Sequence, residues 1–275
     1  MAGAPGESIL RFENVSLYFD EQPALDGVSF ALHAGESCVI LGAAGSGKTV
    51  LLKTAIGLLK PDRGHVRLFG RDITSIADSE LVDLRSRVGI LFQEGALFDS
   101  LTIEENVAYP LVNQRAVHCP RDQVRPRVEA ALSRVELERT LEKFPSELSG
   151  GMRRRVGIAR ANVTEPPLVL YDSPTAGLDP ITANTIMSLI LKERDTKNTT
   201  TVIVTHRYQD GHMLANFRFN LAGNQIEPVS HDGQPASQTK FLVMRDGHLV
   251  FEGSQRELEA SADPYIQKFV KPLRN

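Results

Sequence analysis

ESCVILGAAGSGKT, residues 36–49, runs an apolar segment into a glycine-rich turn and then into a helix. Glu36–Leu41 has the length and composition of a short buried strand. Gly42-Ala43-Ala44-Gly45-Ser46-Gly47-Lys48-Thr49 then matches the spacing G-x-x-x-x-G-K-[ST]. Glycines let successive backbone N–H groups converge on phosphate oxygens, and a helix starting there adds the positive end of its dipole. In this arrangement Lys48 reaches the β- and γ-phosphates and the Thr49 hydroxyl ligates Mg2+. The helix runs from Thr49 to about Leu59 and ends at Lys60-Pro61. With a strand before it and a helix after it, the turn reads as a phosphate-loop nucleotide binder, and alone it says no more.

Outward from this stretch, strands and helices alternate. Residues 8–19 alternate apolar and polar as strands near an edge. Gly64–Phe69 and Val88–Phe92 read as strands with a short polar helix between them. From about Thr102 to Phe144 the spacing is helical, with Val124, Val128, Ala131, Leu132 and Val135 on one face. Ser149 is placed to N-cap the helix of MRRRVGIARAN, and a strand at 168–172, a helix near 181–194 and a strand at Thr200–Thr205 follow. Such alternation specifies an α/β fold with a mostly parallel sheet covered on both faces. The expected architecture is a P-loop NTPase (RecA-like) core over about 7–94 and 156–255, with N-terminal antiparallel strands. A helical subdomain is inserted at about 95–155, and the whole of 7–255 is one domain. Residues 216–240 interrupt the pattern and are expected to form an inserted hairpin with a mobile loop. MRDGHLVFEG is a firmer hairpin, turning at Asp246-Gly247, and 256–275 is a helical tail.

Bulk properties narrow the partners. The chain has 275 residues, 41% apolar and 24% charged, the composition of an ordinary globular protein. A net charge of −3 gives no global reason to bind nucleic acid, and none is expected as a partner. Cys38 and Cys119 form no disulfide framework or metal spacing, which fits a reducing cytoplasm. MAGAPGES lacks the regions of a signal peptide and no run is long enough to span a bilayer. Any role at a membrane therefore falls to a partner. His33, His65, His118 and His212 show no ligand spacing and are expected at the surface, and Arg153-Arg154-Arg155 is expected as a solvated helix face.

LVLYDSPTAGLDP, residues 168–180, delivers Asp172 to the end of a buried strand and follows it with Ser173. Further stretches stand in a telling order. Leu148-Ser149-Gly150-Gly151-Met152 resembles the LSGGQ signature of ABC-transporter ATPases, although alone it reads equally as a capped helix. Gln93, after GILF, resembles their Q-loop; Ala176-Gly177-Leu178-Asp179 resembles the D-loop; His206 resembles the switch histidine. Tyr18 is similar to the aromatic that stacks on adenine, and the resemblance spans about residues 8–255. It implies ATP and Mg2+ as cofactors. Nucleotide would be held by Tyr18, Gly42, Gly45, Ser46, Gly47, Lys48, Thr49, Val50 and Asp172. A second ATPase subunit, as in a homodimer, would close each site with Ser149, Gly150, Gly151 and Asp179. Thr49, Gln93 and Asp172 would attend the Mg2+, and the catalytic positions would be Ser173, Gln93 and His206.

LFQEGALFDSLTIEENVAYPL (91–111), DPIT (179–182) and DPYIQKFV (263–270) are similar to ATPases of the Mla/MCE lipid-transport type. That likeness implies an MlaE-like membrane permease, an MCE-domain protein and in some systems a STAS-domain subunit. The ATPase would then lie on the cytoplasmic face of the inner membrane, and phospholipid would be the cargo. The same family carries Glu where this chain has Ser173. A serine hydroxyl stays protonated near neutral pH and is no general base. Three accounts stay open: natural weakening of hydrolysis, an introduced change at this position, or a carboxylate from elsewhere, with Glu94 as candidate. A nucleotide-gated scaffold, a partner of a second ATPase, and an ATPase for another small molecule are the alternative functions.

Overall fold

The computed structural model describes residues 8–114, 116–229 and 239–270. In chain order the first elements are β1 (Ser8–Phe19), β2 (Gln22–His33), β3 (Ser37–Leu41), α1 (Lys48–Ala55), β4 (Arg63–Leu68), β5 (Arg71–Asp72), α2 (Asp78–Arg85) and β6 (Val88–Leu91). Three helices follow, α3 (Ile103–Asn113), α4 (Arg121–Arg134) and α5 (Gly150–Asn162). The chain then returns to the sheet through β7 (Leu168–Asp172), α6 (Pro180–Lys197), β8 (Thr200–Thr205) and α7 (Tyr208–Asn216). It finishes with β9 (Phe217–Asn220), β10 (Gln225–Pro228), β11 (Thr239–Arg245), β12 (His248–Gly253), α8 (Gln255–Ala260) and α9 (Pro264–Val270).

The central sheet has the order β12-β11-β3-β8-β7-β6, parallel from β11 to β6 and antiparallel only at the β11–β12 hairpin. Every residue of β3 and β7 is buried, as expected for strands covered on both faces. Alternation divides them between two cores: Val39, Leu41, Val169 and Tyr171 join the layer of α3–α6, while Cys38, Ile40, Leu168 and Leu170 join the layer of α1, α2 and the second sheet. That second sheet, β2-β1-β4-β5, is antiparallel. The expected α/β architecture with N-terminal antiparallel strands is therefore present. Among the described residues no helix is long and apolar enough to cross a membrane.

Some boundaries differ from the sequence expectation. α1 stops at Ala55 because Leu58 and Leu59 N–H turn back to the Lys53 carbonyl and Gly57 adopts φ 69°. A Cβ on Gly57 would stand 2.9 Å from the Leu81 side chain, so the glycine also permits the α1–α2 contact. β2 carries no clean alternation in the sequence, since Gly27 at φ 63° and the register shifts against β1 interrupt it. Within 216–240, β9 and β10 form the hairpin, its turn held by Asn220 Oδ1 accepting from Ala222 and Gly223 N–H. The loop expected there as mobile falls largely on residues 230–238, outside the described residues, as do 271–275 of the tail.

Candidate nucleotide-binding site

The carboxyl ends of β3, β6, β7 and β8 lie side by side in register, Leu41 against Thr205, Asp172 against Val204 and Leu91 against Tyr171. The loop 42–49, Gln93, Asp172, Ser173 and His206 all leave the sheet along this edge, the place where open α/β sheets bind ligands. Within the loop, Gly47 is irreplaceable for local reasons: at φ 98° it would carry a Cβ 2.4 Å from the Ala24 carbonyl oxygen. That contact also brings up the end of the β1–β2 hairpin, where Tyr18 pairs with Pro23. Tyr18 is half-buried, and its N–H donates to Asp62 Oδ2 at 2.8 Å.

Lys48 Nζ donates to Gly42 O (2.9 Å), Ala43 O (2.7 Å) and Ser46 Oγ (3.2 Å), so the lysine arches over its own loop. Burial pushes its ammonium below the usual lysine value, and the nearby Asp172 charge opposes this. Thr49 Oγ1 donates to Asp172 Oδ2 at 2.9 Å, and Ser173 Oγ donates to Asp172 Oδ1 at 3.1 Å. Both oxygens of the buried Asp172 are thus engaged by hydroxyls. Gln93 and His206 are exposed, and Val50 packs beside the core formed with the antiparallel sheet. The side chain of Glu94 lies outside the described residues. Among the described residues no three His, Cys, Asp or Glu side chains gather as a metal site. A cation here needs ligands from phosphate oxygens, which suits Mg2+ held by a hydroxyl and one carboxylate beside a nucleotide.

Ser173 has φ 49°, its N–H donates to Val204 O at 2.8 Å and its carbonyl accepts from Ala176 N–H at 3.1 Å. The loop beyond it is clamped from both sides. Arg154 Nη1 donates to Pro174 O (2.9 Å) and Ala176 O (2.8 Å). Arg154 is buried, so the expectation of a solvated arginine face fails at this residue: α5 packs that position against the loop, whose carbonyls take its charge. From the other side Asp210 Oδ2 accepts from Thr175 Oγ1 (2.6 Å) and Thr205 Oγ1 (2.7 Å), while Arg207 Nη1 donates to Thr175 O at 3.4 Å. Arg160 Nη2 fixes the turn after Gln93 by donating to Gly95 O (2.8 Å) and Ala96 O (3.0 Å). Arg160, Thr175, Thr205 and Asp210 carry no signal for this role in the sequence, because their partners are backbone groups or distant side chains. His212 is also no free surface residue: Asn216 and Gln255 side-chain nitrogens lie 3.2 and 3.0 Å from its Nδ1.

Ser149, Gly150, Gly151 and Asp179 stand apart from the loop. Ser149 Oγ accepts from Met152 N–H at 3.3 Å as the N-cap of α5, and Asp179 caps α6 through Ile181 and Thr182 N–H, each at 3.0 Å. The Thr182 hydroxyl holds the Asp179 carboxyl below its usual range. Beside Gly150 opens a groove of about 510 Å3 lined by Gln93, Asp99, Gly150, Arg153, Ala176 and Gly177, among others.

The description "ABC transporter" belongs to a family profile that matches residues 25–176. The chain belongs to the ABC transporter family. It is an ABC ATPase, the ATP-binding subunit of a transporter, and takes ATP with Mg2+. It is similar to the intermembrane phospholipid transport system ATP-binding protein MlaF of Haemophilus influenzae, 33% identical over 96% of this chain and 91% of that protein. It is also similar to the probable ribonucleotide transport ATP-binding protein mkl of Mycobacterium tuberculosis H37Rv, 38% identical over 99% of this chain and 69% of that one. Among solved structures, a dimeric ATP-binding cassette in a post-hydrolysis state with ADP and Pi matches with TM-score 0.74 and 29% identity, covering 89% of this ABC ATPase and 98% of that chain.

Proposed function

We propose that this subunit binds Mg-ATP on the loop 42–49, closes as a homodimer over two nucleotides, and drives a membrane permease that moves phospholipid. The observation that carries the site is the hydrogen-bonded group of Lys48, Ser46, Thr49, Asp172 and Ser173 at the sheet's carboxyl edge. Lys48 and the loop N–H groups neutralise phosphate charge, and Thr49 and Asp172, with Gln93, attend the Mg2+, which draws charge from the phosphate oxygens. Tyr18, at the adjoining hairpin end, stacks on the adenine. Ser149, Gly150 and Gly151 begin a helix on an exposed surface, so their N–H groups suit the γ-phosphate of a neighbour's nucleotide. The dimeric cassette among the similar structures supports this reading. Phospholipid as cargo is supported by the similarity to MlaF. A peripheral place on the cytoplasmic face, with an MlaE-like permease, an MCE-domain protein and a STAS-domain subunit, extends the same resemblance.

Ser173 sets the rate. It hydrogen-bonds Asp172 and holds no carboxylate toward an attacking water, and a positioned general base contributes about 10²–10⁴-fold. His206 remains on the same edge to contact the γ-phosphate. Ser173→Glu keeps a non-glycine residue at the same positive φ, so the substitution is expected to fold. It should raise phosphate release by at least about tenfold, whereas Lys48→Ala should abolish Mg-ATP binding. Equal rates for serine and glutamate would sink the weakened-base reading, and retained affinity in Lys48→Ala would sink the loop assignment. Ser173 also favours a second reading, a nucleotide-gated scaffold that props its permease without fast turnover. ATPase rate in the permease complex separates the two. Lipid carried by that complex, identified by mass spectrometry, separates phospholipid from ribonucleotide or another small molecule.

A further inference from the structure

The two C-terminal helices reach the phosphate loop and α7. At the loop, the Tyr265 hydroxyl accepts from Ala43 N–H at 3.0 Å and donates to Met244 O at 2.9 Å. One oxygen thereby ties the first turn of the phosphate loop to the end of β11, across 222 positions of sequence. Met244 O is already the loop's tight neighbour, since a Cβ on Gly42 would lie 2.6 Å from it. The tyrosine itself is well held. Its ring meets Phe269 edge-on at 5.3 Å, the Arg245 guanidinium lies 5.4 Å from its centroid, and its N–H donates to Asp263 Oδ1 at 2.7 Å. Ile266 and Val270 anchor α9 in the core beneath.

At α7, Tyr208 opens the helix two residues after His206. Its hydroxyl donates to the Glu259 carboxylate of α8 and accepts from Gln255 Nε2 at 2.9 Å. Gln255 Oε1 in turn accepts from Asn216 Nδ2 at 2.7 Å, so α8 is fastened along α7 at both ends. The tail is therefore a brace between the loop that takes phosphate and the helix that follows the switch histidine.

We infer that Tyr265 is a positioning residue of the phosphate loop, through which the docked α9 holds residues 42–44 ready for the nucleotide phosphates. The inference rests on the reading of 42–49 as the nucleotide site. A loop whose entry is already fixed loses less freedom when its N–H groups close on phosphate, and binding is tighter for it. Tyr265→Phe removes one oxygen and keeps the ring between Phe269 and Arg245.

The test uses the full chain and Mg-ATP, with affinity measured by calorimetry and thermal unfolding measured without nucleotide. Tyr265→Phe should raise the Kd for Mg-ATP about three- to tenfold, the worth of one hydrogen bond. Its unfolding temperature should stay within a few degrees of wild type. Hydrogen exchange should be faster in the peptide spanning 42–47 and unchanged in the body of α1. Wild-type affinity in Tyr265→Phe, with binding still lost in Lys48→Ala, overturns the inference and leaves the site reading standing. Retained affinity in Lys48→Ala removes the site reading and this inference with it. A variant that melts much lower yet binds with wild-type affinity makes Tyr265 a packing residue only. If the variant is too unstable to titrate, fast exchange of residues 42–47 in the nucleotide-free wild type overturns the inference, and slow exchange supports it.

Discussion

Asp210 shows how a residue outside the phosphate loop can set the geometry of the site. Its carboxylate is buried, and both threonine hydroxyls that reach it donate to the same oxygen, one from the loop after Ser173 and one from the end of β8. Arg207 Nε stands 3.9 Å from the other oxygen. Burial holds the Asp210 carboxyl above the ordinary aspartate value, against the pull of Thr175, Thr205, Arg207 and His206. A carboxyl whose folded pKa is raised binds its proton more tightly in the folded chain. Its stabilisation is complete below the unfolded value of 3.8 and is lost as pH rises through the folded value. Asp210→Asn has no such titration, and its amide oxygen can still accept from both threonines. The stability of Asp210→Asn relative to wild type should therefore improve steadily as pH rises from about 4 toward neutrality. Urea unfolding of both proteins across that range checks this, and a gap that stays constant with pH would mean Asp210 titrates alike in the folded and unfolded chains.

Among elements, legibility in the sequence tracked how local the determining forces are. β3, the loop 42–49 and the start of α1 were readable because the apolar run, the glycine spacing and the helix start all fall within fourteen residues. β7 and β8 were readable for the same reason, each being a continuous apolar or β-branched run buried on both faces. β2 was not, since Gly27 at positive φ and repeated register shifts against β1 erase its alternation. The sequence specifies α5 as a capped helix, but the expected solvated face fails at Arg154. The 3.6-residue period says which positions share a face, and it does not say that carbonyls of another loop wait opposite Arg154. α9 is the extreme case. DPYIQKFV resembles the Mla/MCE type, yet nothing in it announces that Tyr265 reaches Ala43. Thus the residues read as nucleotide contacts carry local sequence signals, and those that hold them in place mostly do not. The latter act through backbone carbonyls and long-range pairs, which leave no residue-type signature.

For the whole molecule, under the homodimer proposal, the separation of the loop 42–49 from the start of α5 decides what turnover means. Among the described residues no hydrogen bond joins 149–151 or Asp179 to the loop 42–49, and Ile181, beside Asp179, is 80% exposed. One copy therefore presents a phosphate loop and, elsewhere, an uncovered helix start with an apolar neighbour. Under the homodimer proposal, ATP is the element that joins these surfaces, and cleavage of the γ-phosphate removes the charge that the partner's helix start holds. The lifetime of the closed dimer is then set by hydrolysis, and both sites of a homodimer carry Ser173. Light scattering should show that Mg-ATP doubles the mass of the wild-type protein and that the doubled form persists after free ATP is removed. Ser173→Glu should return to the single-chain mass faster by at least about tenfold, in step with its gain in phosphate release. Mg-ADP should leave both proteins as single chains, because the bridging phosphate is missing. Equal lifetimes in the two proteins, despite unequal turnover, would break the link between Ser173 and dimer opening. Failure of either protein to double with Mg-ATP would break the homodimer itself, leaving the exposed helix start of this chain for a different ATPase.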